Sequence, residues 1–113
     1  LSGINRLKKK RDFERVFKQG RGLKEGFVSL KFVKNGLEAT RFGFVVGQKV
    51  SRKAVVRNKV KRRLRDIIKD RLGGIKKGLD VVIVASKGAE AADLERIKTT
   101  LNYLFKTSRL FND

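Results

Sequence analysis

The segment KAVVRNKVKRRLRDIIKDRL, residues 53–72, reads as one long helix. At about 100° per residue its side chains sort into two faces. Val56, Val60, Leu64 and Ile67 form the stripe expected to be buried. Opposite them Asn58, Arg62, Arg65 and Lys69 recur at i, i+4, i+7 and i+11, with Lys61 on the flank and Arg57, Lys59 and Arg63 nearer the edges. The pattern runs from about Ala54 to Leu72, where Gly73 and Gly74 end it.

Downstream, Leu79 to Ala85 (LDVVIVA) is a continuous apolar run rich in Val and Ile, the signature of a central strand buried on both faces, with Asp80 near its start. Ala91 to Phe105 carries Leu94, Ile97, Leu101, Leu104 and Phe105 at helical spacing, which predicts a closing amphipathic helix. Upstream, Phe27 to Val33 alternates as a half-buried strand does, Asn35 and Gly36 signal a turn, and Arg41 to Gly47 (RFGFVVG) reads as the return strand of that hairpin. Three glycines between Gly20 and Gly26 leave room only for a short irregular edge strand. Residues 8–19, KKKRDFERVFKQ, place Phe13, Val16 and Phe17 at helical spacing before Gly20, which predicts a short first helix.

The chain of 113 residues suits one domain, residues 1–113, and its hydrophobic share of 40% suffices for a single core. Lys and Arg number 30 against 11 Asp and Glu, a net charge of +19. The surplus is uneven: residues 1–72 carry +17 of it and residues 73–113 only +2. A polyanion is the implied partner, and it should meet the first two thirds of the chain. Lipid is the weakest candidate, since no apolar run approaches the roughly 20 residues of a membrane span and the N-terminus lacks a secretory apolar stretch. A soluble, cytoplasmic protein with no membrane partner is expected.

Cysteine and histidine are both absent, which excludes disulfide partners, thiolate metal sites and the commonest general base and zinc ligand. Proline and methionine are absent too, although roughly six prolines would be usual at this length, a composition that fits an edited or reconstructed sequence as well as a natural one. The acids form no convincing metal cluster: Asp66 and Asp70, four apart on a basic helix, read as ion-pairing partners.

A ladder of cations repels itself unless a polyanion neutralises it, whereas a merely solvated helix interleaves acids with its bases. Here only Asp66 and Asp70 dilute the ladder, and five of the cations in residues 53–72 are arginines, suited to forked bonding with phosphate and to stacking on bases. Nucleic acid is the favoured polyanion.

At this point AVVRNKVKRRLRD, residues 54–66, resembles the signature helix of the bacterial ribonuclease P protein family. Ala54, Val55, Arg57, Asn58, Lys61, Arg62 and Arg65 match the family pattern, with Lys59 in place of its usual arginine and Asp66 in place of a common glutamate. The likeness extends to Arg6-Leu7, Asp12-Phe13, Phe17, Gly20, the Arg41 to Gly43 step and the Asp80 to Ala85 strand. Gly47, Gln48 and Ser86 depart from it.

The resemblance implies an α/β (α+β) two-layer sandwich: a mixed sheet of about four strands with three helices, in the order α-β-β-(β)-α-β-α, and a left-handed βαβ crossover. It also implies a subunit that binds a catalytic RNA and the 5′ leader of precursor tRNA and assists removal of that leader. On this reading Arg57, Asn58, Lys59, Lys61, Arg62, Arg65 and Lys69 lie against the catalytic RNA, with Lys49, Arg52 and Lys53 extending the patch. The leader would lie in a cleft walled by Phe13 and Phe17 and floored by Ser29, Lys31 and Val45, where unpaired bases stack on aromatic faces. Two phenylalanines four residues apart on a helix fit a core equally well, so Phe13 and Phe17 stand between the two roles. No catalytic residue and no metal ligand is assigned to the protein; Mg2+ is implied at the active site of the RNA. The alternatives are a basic structural protein of the ribosomal or assembly-factor type, and a metal-dependent nuclease acting alone.

Overall fold

The computed structural model describes residues 1–113. Helix α1 spans Lys10–Gln19, strands β1, β2 and β3 span Arg21–Glu25, Val28–Lys34 and Arg41–Val46, helix α2 spans Ala54–Arg71, strand β4 spans Leu79–Ala85 and helix α3 spans Leu94–Thr107. The long basic segment is thus a helix over its expected length, its last residues tightening into a 3-10 turn at Leu72–Gly74. Its buried stripe is Val60, Leu64, Ile67 and Ile68, while Val56, expected within it, is only half-buried. Helix α3 starts later than its apolar spacing suggests because Asp93 caps it, its carboxylate accepting from the Arg96 N–H at 2.8 Å.

The four strands lie in the order β1-β2-β4-β3, with β1/β2 and β2/β4 antiparallel and β3/β4 parallel. This corrects the expected hairpin: β2 and β3 do not pair, because β4 lies between them. The reason is burial. Apart from Asp80, strand β4 is apolar on both faces, and all but Val84 of it is buried, so it takes the central position with a neighbour on each side. The real hairpin joins β1 to β2 through Gly26 and Phe27, with Glu25 opposite Val28. Gly26 has φ +57°, which a glycine adopts without steric cost, and so the glycine-rich segment 20–26 is a paired edge strand and its turn.

Alternation along the strands gives the sheet two different faces. One carries Leu30, Phe42, Val46, Val81 and Ile83 and packs with α2 and α3 into the main core. The other carries Val82, which packs with Leu7 and Val16 under α1, flanked by Phe13, Val33, Val45 and Val84. The mixed sheet and three helices are those expected, with α1 adding a partial third layer to the sandwich. No helix is long and apolar enough to cross a membrane.

Candidate nucleic-acid interface

On α2 the side chains of Asn58, Lys59, Arg62 and Lys69 are exposed, and so are Lys49, Arg52 and Lys53 in the preceding loop. No acid occupies the first turn of α2, so the positive end of the helix dipole adds to the field of these cations. Arg57 is half-buried beside them. Its Nη1 donates to the carbonyls of Ser51 (3.0 Å) and Arg52 (2.9 Å), fastening the cationic loop to the helix start. Lys61 and Arg65 are half-buried and turn toward α1. Asp66 and Asp70 are exposed and form no ion pair, contrary to the pairing expected of them, so they leave the ladder unneutralised.

The α1 side of the sheet is organised in rows by strand register. Lys24, Ser29, Val84 and Val45 lie side by side across β1, β2, β4 and β3; Gly22, Lys31, Val82 and Gly43 form the next row; Val33, Asp80 and Arg41 form a third. Helix α1 lies over Val82 and Gly43 of the second row and over the third, and leaves the first row and Gly22 open. Phe17, 42% exposed, overhangs a hollow of about 480 Å³ lined by Gly22, Lys24, Ser29, Lys31 and Val84. The Lys31 ammonium donates to the Phe17 carbonyl at 2.9 Å, holding the end of α1 to the sheet. Phe17, Ser29 and Lys31 are therefore brought together as expected.

Phe13 is not at that hollow. Its ring is partly buried and lies on Gly43, where an added Cβ would collide with it. Val45, beside Val84 in the open row, is partly buried against the small α1 cluster. Lys24 and Val84 escaped the sequence reading: the first sits in the glycine-rich segment, and the second in a strand whose apolar run concealed its one accessible side chain.

A buried ionic network fixes α1 over the sheet. Asp80 has no exposed side-chain surface; it accepts from Arg41 Nε (2.8 Å) and Nη2 (2.7 Å), from Asn35 Nδ2 (2.9 Å) and from Arg15 of α1. Arg41 also reaches Asp12 of α1 at 3.6 Å. Burial pushes the Asp80 carboxyl up, but the hydrogen bonds of Arg41 and Asn35 and the charges of Arg41 and Arg15 outweigh it and hold the group below the usual carboxylate range.

An exposed cationic helix and a separate aromatic-edged hollow, on a small α+β fold with a charge of +19, define a basic RNA-binding protein. The sequence profile described as Ribonuclease P matches residues 1–109. The chain belongs to the ribonuclease P protein family. It is 33% identical over 106 residues to the ribonuclease P protein component of Syntrophomonas wolfei, covering 94% of this chain and 88% of that one. To the Streptococcus pneumoniae protein component it is 35% identical over 111 residues, with coverage of 96% and 87%. Among solved structures, the Staphylococcus aureus RNase P protein superposes with a TM-score of 0.88 at 28% identity, over 96% of this chain and 98% of that one. The Thermotoga maritima RNase P protein, solved in complex with 1-(4-fluorophenyl)-2-thiourea, superposes with a TM-score of 0.80 at 38% identity, over 88% and 96%.

Proposed function

We propose that this chain is the RNA-binding subunit of ribonuclease P: it docks on the catalytic RNA and holds the 5′ leader of precursor tRNA while the holoenzyme cuts the leader away. The observation that carries this reading is the division of the surface. The exposed cations of α2 and its preceding loop make one continuous docking face, and the Phe17 hollow lies apart from it across α1. The docking face neutralises phosphates of the catalytic RNA, with Arg62 at its centre and Lys69 at its far end. The hollow offers one aromatic face and two ammonium groups, Lys24 and Lys31, to an unpaired strand.

The chemistry of the cut belongs to the RNA. Phosphodiester hydrolysis commonly uses divalent ions held by carboxylates or phosphates, and in the holoenzyme the phosphates of the RNA would hold Mg2+ for it. No three acidic side chains of the protein converge, and the one buried carboxylate, Asp80, is already committed to two arginines. The test is reconstitution with a bacterial ribonuclease P RNA and precursor tRNA at low magnesium. The protein should enhance cleavage at the mature 5′ end and cut nothing by itself. Metal-dependent cleavage by protein freed of RNA, or no enhancement, overturns the proposal.

A further inference from the structure

A second hollow, of about 380 Å³, lies on the other side of α1, where α1, the free edge of β3 and α2 meet. Its floor is apolar: the Phe13 ring from one face of the sheet and Phe44 from the other. Its rim is cationic: Arg6 and Lys8 before α1, Lys61 and Arg65 on α2. No acid lines it. Lys61 and Arg65 are half-buried, yet neither side chain has a hydrogen bond or an ion pair within the protein, unlike Arg15, Arg41 and Arg57. Partial burial of unpaired cations costs solvation energy that a bound anion returns.

The sheet edge adds a polar contact. Phe42 turns its carbonyl outward to accept from the Leu7 N–H at 2.9 Å, and Leu7 is where the N-terminal segment leaves the strand. Two residues on, Phe44 presents its N–H and C=O to the same edge, with no strand beyond to take them. A donor and an acceptor side by side, an apolar floor and a phosphate-binding rim together match one chemical object, a nucleotide whose base is unpaired. The volume suits a small ligand, for which pockets of about 300–1,000 Å³ are usual.

We propose that this hollow takes a single unpaired nucleotide of the catalytic RNA, its base on Phe13 and Phe44 and its phosphate between Lys61 and Arg65. The inference rests on the docking reading above, because Lys61 and Arg65 belong to the same helix as the exposed docking face. Cations draw any RNA strand to α2, but a seated base makes the contact depend on stacking as well as on charge.

The test uses the full chain with a bacterial ribonuclease P RNA. Phe44→Ala removes half the floor and no charge. It should weaken binding to that RNA by about 5- to 150-fold, the range of one lost base stack, and leave the salt slope unchanged, since no phosphate contact goes. Unchanged affinity with a normal wild-type salt slope overturns the nucleotide and leaves the docking reading standing; absence of salt-dependent binding by the wild-type protein overturns both. A loss confined to precursor over mature tRNA assigns the base to the leader and overturns the proposal. Because Phe44 also packs on the core, a second measurement uses the unaltered protein. Adenosine 5′-monophosphate titrated into the 15N-labelled chain should shift the Gly43 and Phe44 amides, and inorganic phosphate should not; equal responses to both overturn the base contact.

Discussion

Replacing Asp80 by Asn keeps the shape of the side chain and removes its charge from a fully buried position. Arg41 would lose a forked partner and Arg15 its only carboxylate, and an amide NH2 would face a guanidinium donor. Breaking a buried pair by removing one member costs about 3–5 kcal/mol. Arg15 and Arg41 keep 31% and 22% of their side-chain surface exposed and regain some hydration, so the lower end, about 3 kcal/mol, is expected. For a chain of this size that lowers Tm by about 12 °C. Urea unfolding followed by far-ultraviolet circular dichroism, with a thermal melt, measures both. The dependence on pH gives a second reading. The folded Asp80 carboxyl titrates below its unfolded value, so the stability it confers is complete above the unfolded pKa of about 3.9 and is lost as pH falls through the lower folded one. The gap between wild type and Asp80→Asn should therefore be full at pH 6 and shrink on acidification below about pH 4. A loss under about 1 kcal/mol at pH 6, or a gap constant down to pH 2, would refute the view that this network anchors α1.

Gly43→Ala should cost about 1–3 kcal/mol in the same assay, since its methyl group would meet the Phe13 ring; an unchanged midpoint would mean that the ring is free to move. Phe17→Leu should leave Tm nearly unchanged and selectively weaken precursor over mature tRNA binding by the assembled enzyme, with a lost stack worth about 1–3 kcal/mol. Phe13→Leu should instead lower stability by about 1 kcal/mol, and the reverse pattern would exchange the two roles. Replacing Arg62 and Arg65 together by Ala should flatten the salt dependence of binding to the catalytic RNA by about 0.7–0.9 in slope per lost phosphate contact, measured between 50 and 200 mM salt; an unaltered slope would move the docking face elsewhere.

The candidate site was legible where charge and period coincide. Lys49, Arg52, Lys53, Lys59, Arg62 and Lys69 stand on the surface because a single stripe, Val60 to Ile68, buries the opposite side of α2, and that follows from sequence; the half-burial of Lys61 and Arg65 against the α1 side does not. The leader hollow was only half legible. Phe13 and Phe17 are indistinguishable by spacing, since residues four apart share a face of the helix. They differ because the bare backbone of Gly43 lies under one and the open row of the sheet under the other.

By itself the sequence determined the main elements: the basic helix, the strand at Leu79–Ala85, apolar but for Asp80, and the closing amphipathic helix, all set by local pattern. Which strands pair was decided by the tertiary structure. Asn35-Gly36 carries a genuine turn signal and Gly36 does adopt φ +73°, yet β4, some 40 residues downstream, enters between the two strands. Pairing is a competition for buried edges, and a strand apolar on both faces loses most by staying at the rim. The same insertion brings Asp80 against Arg41 in register, and from there to Arg15, so the anchor of α1 and the two hollows beside it exist only once β4 is in place.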